Sequence, residues 1–175
     1  LDMRFGDFGI SAEELLNKIS EPELERILRD YGEEPFARRL ARKIIERREK
    51  LALTTTFDLR YIVEESTPRN LHFKVLSRVF QAIRIAVNGE LDVLEKALSS
   101  LLPLLNVGGR FVIISYHSLE DRIVKNFFKD NSVPRKQYNT EEPADGPKLK
   151  ILTPKPIVPS EEEQAVNPRS RSAKL

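Results

Sequence analysis

Residues Tyr116-His117-Ser118-Leu119-Glu120-Asp121 set chemistry-bearing side chains closest together in this chain. A tyrosine ring can stack on a base. An imidazole such as His117 can donate a hydrogen bond or move a proton near neutral pH. Ser118, at a helix start, can face an anion. The blander reading of the same residues makes Ser118 an N-cap, Asp121 its capping partner three positions on, and His117 a satisfied polar residue at the turn. A second group is Gln81, Arg84 and Asn88. Their i, i+3, i+7 spacing puts them on one helix face, where two amides and a guanidinium can hold a phosphate and a base edge. The alternative there is a solvated face, with Phe80 and Ile83 in the core. A third group is basic: Arg38, Arg39, Arg42 and Lys43 can neutralise nucleic-acid phosphates, with binding that weakens steeply in salt. A merely solvated basic helix would look the same.

Composition removes several classes of chemistry. The chain has 175 residues, no cysteine and two histidines, His72 and His117. A disulfide scaffold, a thiol nucleophile, a cysteine-ligated zinc and an iron–sulfur cluster are therefore out, as is a histidine-rich metal site; no metal ligand set is assigned. The net charge is only +2, so a nucleic-acid site must be a local patch. Charge is nevertheless uneven. Residues 1–34 carry four basic and ten acidic side chains, and residues 35–50 carry seven basic and two acidic ones. No apolar run approaches the ~18–20 residues of a membrane span, which makes a cytoplasmic protein the default expectation. No Gly-rich phosphate loop, HExxH, GxSxG or EF-hand loop occurs. The first residue is Leu1 rather than methionine, which reads as processing or as a piece of something longer.

The elements that position these residues follow from capping and periodicity. Ser11 with Glu14, and Ser20 with Glu23, have capping-box spacing. Leu24, Ile27, Leu28 and Tyr31 form a helical stripe that Gly32 should stop. Phe36, Ala37, Leu40, Ala41, Ile44 and Ile45 line one face of the next helix and leave its arginines opposite. Thr55 or Thr56 should cap a fourth. These residues predict an all-helical module over 1–70.

A long helix is predicted from about Phe73 to Leu105, with Gly89 and Pro103 as weak points. Gly108-Gly109 makes a turn. Residues 110–115 form a short apolar run rich in β-branched residues, the pattern of a strand buried on both faces of a parallel sheet. It ends at Tyr116, and in open α/β sheets ligands bind beyond the carboxyl ends of strands. A helix follows, with Ile123, Val124, Phe127 and Phe128 inward. Residues 130–148 should be a mobile loop, 149–153 a second strand, and Ser160 the cap of a last short helix. The basic tail 167–175 should be flexible or extended. The fold class expected is α/β, with residues 71–175 as the back part of the sheet domain. Half a parallel sheet exposes an apolar edge, so poor stability in isolation is expected.

Five stretches together carry a resemblance. They are Leu1-Asp2-Met3-Arg4; Asp30-Tyr31-Gly32-Glu33-Glu34 running into Phe36-Ala37-Arg38-Arg39-Leu40-Ala41-Arg42; Phe80-Gln81-Ala82-Ile83-Arg84-Ile85-Ala86-Val87-Asn88; residues 108–125; and Asn167-Pro168-Arg169-Ser170-Arg171-Ser172-Ala173-Lys174-Leu175. They resemble the bacterial ribosomal RNA small subunit methyltransferase H family, of the MraW type, from the first residue to the last.

The resemblance implies a partial class I, Rossmann-like methyltransferase using S-adenosyl-L-methionine, with an all-helical insertion domain. The implied substrate is N4 of a cytidine in the decoding region of 16S ribosomal RNA, presented as RNA or as the small ribosomal subunit. Residues 1–70 would be the substrate-recognition insert. The family's Gly-rich turn, acidic ribose-binding residue and Asp-Leu-Gly segment match nothing here. Cofactor-binding residues are therefore expected upstream of Leu1 and none is assigned in this chain, which alone should be inactive. Asn106-Val107 replaces the family's usual Lys-Pro before Gly108-Gly109, and the segment 71–79 departs from the common pattern, so His72 receives no role.

By location, His117, Tyr116 and Asn88 are the catalytic candidates. Gln81, Arg84 and Ser118 belong to the substrate pocket, and Arg38, Arg39, Arg42 and Lys43 to the RNA phosphates. A homodimer is held open as a further partner. The rival is a shortened, non-catalytic RNA- or ribosome-binding module. A metal-dependent nuclease or hydrolase is disfavoured, because Glu120 and Asp121 are the only carboxylates at the strand end.

Overall fold

A computed structural model describes residues 1–132 and 148–175. It divides into two compact units, Leu1–Glu90 and Leu91–Leu175. In the first unit the helices are α1 (Ala12–Lys18), α2 (Glu21–Asp30), α3 (Ala37–Arg48), α4 (Thr56–Ser66) and α5 (His72–Asn88). Their apolar stripes meet in one core. Leu16, Leu24, Leu28, Leu40, Ile44, Leu59, Val63, Val79 and Ile83 are buried in it, and Leu53 joins them from the α3–α4 connection.

Local chemistry sets most of the boundaries. Ser11 Oγ accepts from the Glu14 amide at 3.1 Å, and the Glu14 carboxylate accepts from the Ser11 amide at 3.1 Å. This is the reciprocal box expected at the start of α1. Thr55, rather than Thr56, does the same for α4 with Asp58. The box expected at Ser20 does not form: Ser20 occupies the N-cap of α2 without a side-chain hydrogen bond. Pro22 removes one of the two amides that such a cap could serve. Gly32 follows α2 where a side chain has no room. A Cβ there would lie 2.6 Å from the Leu28 carbonyl oxygen and 2.9 Å from that of Arg78, so the end of α2 presses directly on α5. Glu34 is buried beside this contact and accepts the Phe36 amide at 3.0 Å.

The long helix expected from Phe73 to Leu105 is two helices. Gly89 adopts φ 58°, a left-handed C-cap that ends α5. A second helix, α6 (Glu90–Leu101), then begins, and Pro103 falls in a 3-10 turn at Leu102–Leu104.

In the second unit, α6 leads through a turn at Asn106–Gly109 into an extended segment and then α7 (Ser118–Ser132). The expectation of a strand buried on both faces is corrected. Among the described residues the one β-pairing is an isolated antiparallel bridge, Ser115 with Lys174. Ser115 is buried and Phe111 packs edge-on against Phe127 and Phe128 of α7, whereas Val112, Ile114 and Tyr116 are exposed. The segment is thus an alternating, one-sided strand pattern without a ladder on either edge. Residues 149–153 are likewise without a ladder. Residues 130–132 complete α7; the rest of the expected loop, 133–147, lies outside the described residues.

The tail is ordered rather than flexible. The short helix α8 (Glu161–Val166) is capped by Ser160, as expected. A 3-10 turn at Pro168–Ser172 then buries Ser170. Lys174 exchanges two backbone hydrogen bonds with Ser115, at 2.8 and 2.9 Å, and Leu175 exchanges two with Ile157, at 2.9 and 3.0 Å.

Candidate functional site

The N-terminus of α7 carries the His117 group, and its capping differs from the expectation. Ser118 is the first helical residue, not the cap. The cap is His117 itself. The Glu120 amide donates to its Nδ1 at 3.4 Å, while the Glu120 carboxylate accepts from the amides of Tyr116 at 2.8 Å and His117 at 3.3 Å. The imidazole therefore takes the place of a serine hydroxyl in a capping box whose acidic partner is Glu120, not Asp121. With Nδ1 accepting, the neutral ring carries its proton on Nε2. That atom is buried, has no hydrogen-bond partner and lies 3.5 Å from Glu120 Oε1. The adjacent Tyr116 ring is half exposed, the condition for stacking on a planar ligand.

Asp121 serves a different purpose. It accepts from Lys125 Nζ at 2.8 Å and from Lys174 Nζ at 3.1 Å, tying α7 to the tail beside the Ser115 bridge. Burial pushes its carboxyl up, but the two ammonium hydrogen bonds outweigh this and hold it below the usual aspartate range.

The Gln81, Arg84 and Asn88 face of α5 is engaged by other parts of the helical unit. Gln81 Nε2 donates to the Tyr31 carbonyl at 3.1 Å. Arg84 makes a bidentate pair with Glu90, at 2.7 and 2.9 Å. The Asn88 amide donates to the carbonyls of Met3 and Arg84, each at 2.8 Å, and accepts the Phe5 amide at 2.8 Å. The three share a face, as the spacing required, but each is committed to a separate part of the fold.

On α3 the basic side chains divide. Arg42 and Lys43 both reach Glu46, at 3.6 and 2.7 Å. The Lys43 hydrogen bond, reinforced by Arg42, keeps the Glu46 carboxyl low. Arg38 and Arg39 are exposed and make no ion pair among the described residues. The immediately usable phosphate contacts are therefore those two.

One functional candidate has no counterpart among the side chains singled out above: the Asp2–Gly9 loop. Arg4 fills its centre. Nε donates to one Asp2 carboxylate oxygen at 2.6 Å, one terminal nitrogen donates to the other at 3.0 Å, and the second reaches the carbonyls of Asp7 and Gly9 at 3.2 and 3.3 Å. The short Asp2-x-Arg4 spacing was the available signal; the tether to Asn88 spans more than eighty residues and left none.

No glycine-rich turn among the described residues connects a strand to a helix. Gly108–Gly109 runs into the extended segment instead. The described residues thus do not include the strand–turn–helix glycine arrangement in which dinucleotide folds hold a pyrophosphate.

The MraW methylase family model matches this chain over residues 1–175. The chain belongs to the MraW methylase family. Its relatives include the ribosomal RNA small subunit methyltransferase H of Rickettsia canadensis (strain McKiel), 46% identical over 181 residues, which cover the whole of this chain and 59% of the relative. The namesake from Caldicellulosiruptor saccharolyticus is 45% identical over 188 residues, with the same two coverages. That of Dictyoglomus thermophilum is 44% identical over 176 residues, again all of this chain but 54% of the relative. This member of the MraW family therefore spans a little over half the length of those relatives. No helix among its described residues is long and apolar enough to cross a membrane, and no group of acidic and histidine side chains there could hold a metal ion.

Proposed function

We propose that this chain is the RNA-engaging and rear portion of a cytoplasmic methyltransferase that uses S-adenosyl-L-methionine to methylate N4 of a cytidine in the decoding region of 16S ribosomal RNA. The observation that carries this reading is the family match along all 175 residues, to relatives named for small-subunit ribosomal RNA methylation. Residues 1–70 act as the substrate-recognition insert. Residues 71–175 form the back of a Rossmann-like domain, in which 110–115 and 149–153 become strands on pairing with further strands. The cofactor supplies an activated methyl group; no residue of this chain is assigned to hold it.

What this chain contributes is binding and orientation. The exocyclic amine of cytosine is a poor nucleophile, because its lone pair is delocalised into the ring, so its placement governs the rate. A base in RNA must leave the stack to be placed at all. Tyr116 stacks on it, and His117 lies beside it, its Nε2–H reaching an acceptor on the base only once that buried atom is uncovered. Glu120 fixes the imidazole tautomer. Asn88 acts by shaping the backbone around residues 3–5; Gln81 and Arg84 serve substrate binding within the helical unit, and Ser118 does so at the start of α7. Arg38 and Arg39 take phosphates directly, whereas Arg42 and Lys43 do so on leaving Glu46. The chain alone binds RNA without transferring methyl groups.

The test is to incubate the chain with small ribosomal subunits and radiolabelled cofactor, beside one of the longer relatives, and to measure RNA binding as salt is raised. Expected are label transfer by the relative only, and binding by the chain that falls steeply with salt. Absence of RNA binding would overturn the reading. Methyl transfer by the chain alone would overturn its placement of the cofactor site. A second reading is an RNA- or ribosome-binding module that never takes part in catalysis, which the exposed Arg38 and Arg39 would serve equally well. It predicts the same binding, with no activity gained on adding the missing portion of the relative.

A further inference from the structure

The Asp2–Gly9 loop is over-determined. Met3 has φ 65°, a left-handed conformation that a long side chain rarely adopts. Five groups hold it there. The Asn88 amide bonds on both sides of Arg4, donating to the Met3 carbonyl at 2.8 Å and accepting the Phe5 N–H at 2.8 Å. The Ala12 and Glu13 amides at the start of α1 donate to the Asp2 and Leu1 carbonyls, at 2.7 and 2.8 Å. Arg4 closes the remainder from inside, and Gly9, at φ 91°, permits the return. Strain persists only where its surroundings impose it, and such places cluster at ligand clamps and active sites.

The same loop holds two aromatic rings in solvent. Phe5 is 75% exposed and Phe8 94% exposed. Each ring thus leaves a large apolar area open to a partner. Asp2 and Arg4 neutralise one another, and Asp7 is the loop's only other charge, so the loop offers phosphates no attraction. What it offers is flat π surface at a fixed position, in the unit that also carries the exposed Arg38 and Arg39.

We propose that the Asp2–Gly9 loop is a preformed platform on which an unpaired base of the RNA substrate stacks through Phe5 and Phe8, with Asn88 as the positioning residue that holds the platform in shape. The proposal rests on the RNA-binding reading above and adds the element that grips bases rather than phosphates. Base–aromatic stacking is tolerant of sequence and independent of counterion release, so it contributes an affinity that salt does not remove.

The test is a fluorescence titration of a short labelled single-stranded oligoribonucleotide with the 175-residue chain across a salt series. Changing Phe5→Ala and Phe8→Ala together is expected to raise Kd about tenfold while leaving the slope of log Kd against log salt unchanged. Phe5→Trp with Phe8→Trp is expected to bind at least as well as wild type. An oligonucleotide with abasic sites is expected to bind the chain and its Phe→Ala variant equally. Asn88→Asp, which keeps the acceptor and loses the donor, is expected to show part of the loss. If the Phe→Ala variant binds like wild type while Arg38→Ala with Arg39→Ala weakens binding and flattens the slope, the platform is wrong and the RNA reading survives. If the unaltered chain binds no RNA, both fall. If Phe→Ala lowers the melting temperature and leaves Kd alone, the rings pack against protein and the platform is overturned.

Discussion

The two units differ in how much of their own apolar surface they cover. In Leu1–Glu90, five helices bury leucines and isoleucines from every element in a single core. In Leu91–Leu175, the buried apolar side chains among the described residues are Leu98 and Leu119, and Val112, Ile114, Leu152 and Val158 stand exposed. A helix satisfies its backbone internally and needs only a neighbour for one stripe, which adjacent sequence supplies. An extended segment needs partners along both edges, and among the described residues the backbone pairs are Ser115 with Lys174 and Ile157 with Leu175. Polar ties, above all Asp121, stand where a hydrophobic layer would otherwise be.

The sharpest way to break this comparison is through the helical core. Leu40→Ala should cost about 2–5 kcal/mol, read as a lower urea midpoint for the α2 and α3 amides by NMR. The Ser115 and Lys174 amides should keep their own midpoint; if all signals shift together, the units are not independent. Gly32→Ala should cost about 1–3 kcal/mol, because the new methyl meets two backbone carbonyls that cannot swing aside. A neutral result would mean that the α2–α5 contact gives way.

In the second unit, Asp121→Asn should cost about 1 kcal/mol and loosen the 173–175 amides. The sign with pH follows from the depressed carboxyl. The contribution is complete above the unfolded value near ~3.9 and is lost as pH falls through the lower folded value. Wild type should therefore lose tail protection in acid, and the variant should show no such step. The smallest effect compares one capping chemistry in two settings. Ser11→Ala should cost about 1 kcal/mol and Ser160→Ala about 0.5 kcal/mol, measured by urea midpoint, since α8 has little packed upon it. Equal costs would erase the distinction between the units.

What could be read from sequence follows the same division. The starts of α1, α4 and α8 were legible because hydroxyl caps act over three residues. The inward stripe of α3 was legible because its period is helical. His117 was misplaced by one capping position, since an imidazole acceptor lies outside the usual set of Ser, Thr, Asp and Asn. The one-sidedness of 110–115 was hidden, because an apolar run does not reveal whether a second layer exists. The basic tail read as flexible or extended; backbone bonds to Ser115 and Ile157 decide for the extended form at its last two residues. Asn88 was singled out for its face on α5, but its partners at Met3 and Phe5 are set by tertiary closure, which no local pattern encodes.

That closure has a geometric consequence. Because one asparagine side chain bonds to residues 3, 5 and 84, the point where the backbone enters the helical unit adjoins the point where it leaves. A module whose entry and exit touch can be spliced into a surface turn of another domain without prying that domain open. By the same token, residue 3 and residue 88 of this unit could be joined by a short linker and new ends cut between α3 and α4, at the exposed Lys50–Ala52 stretch, with the helical core left intact.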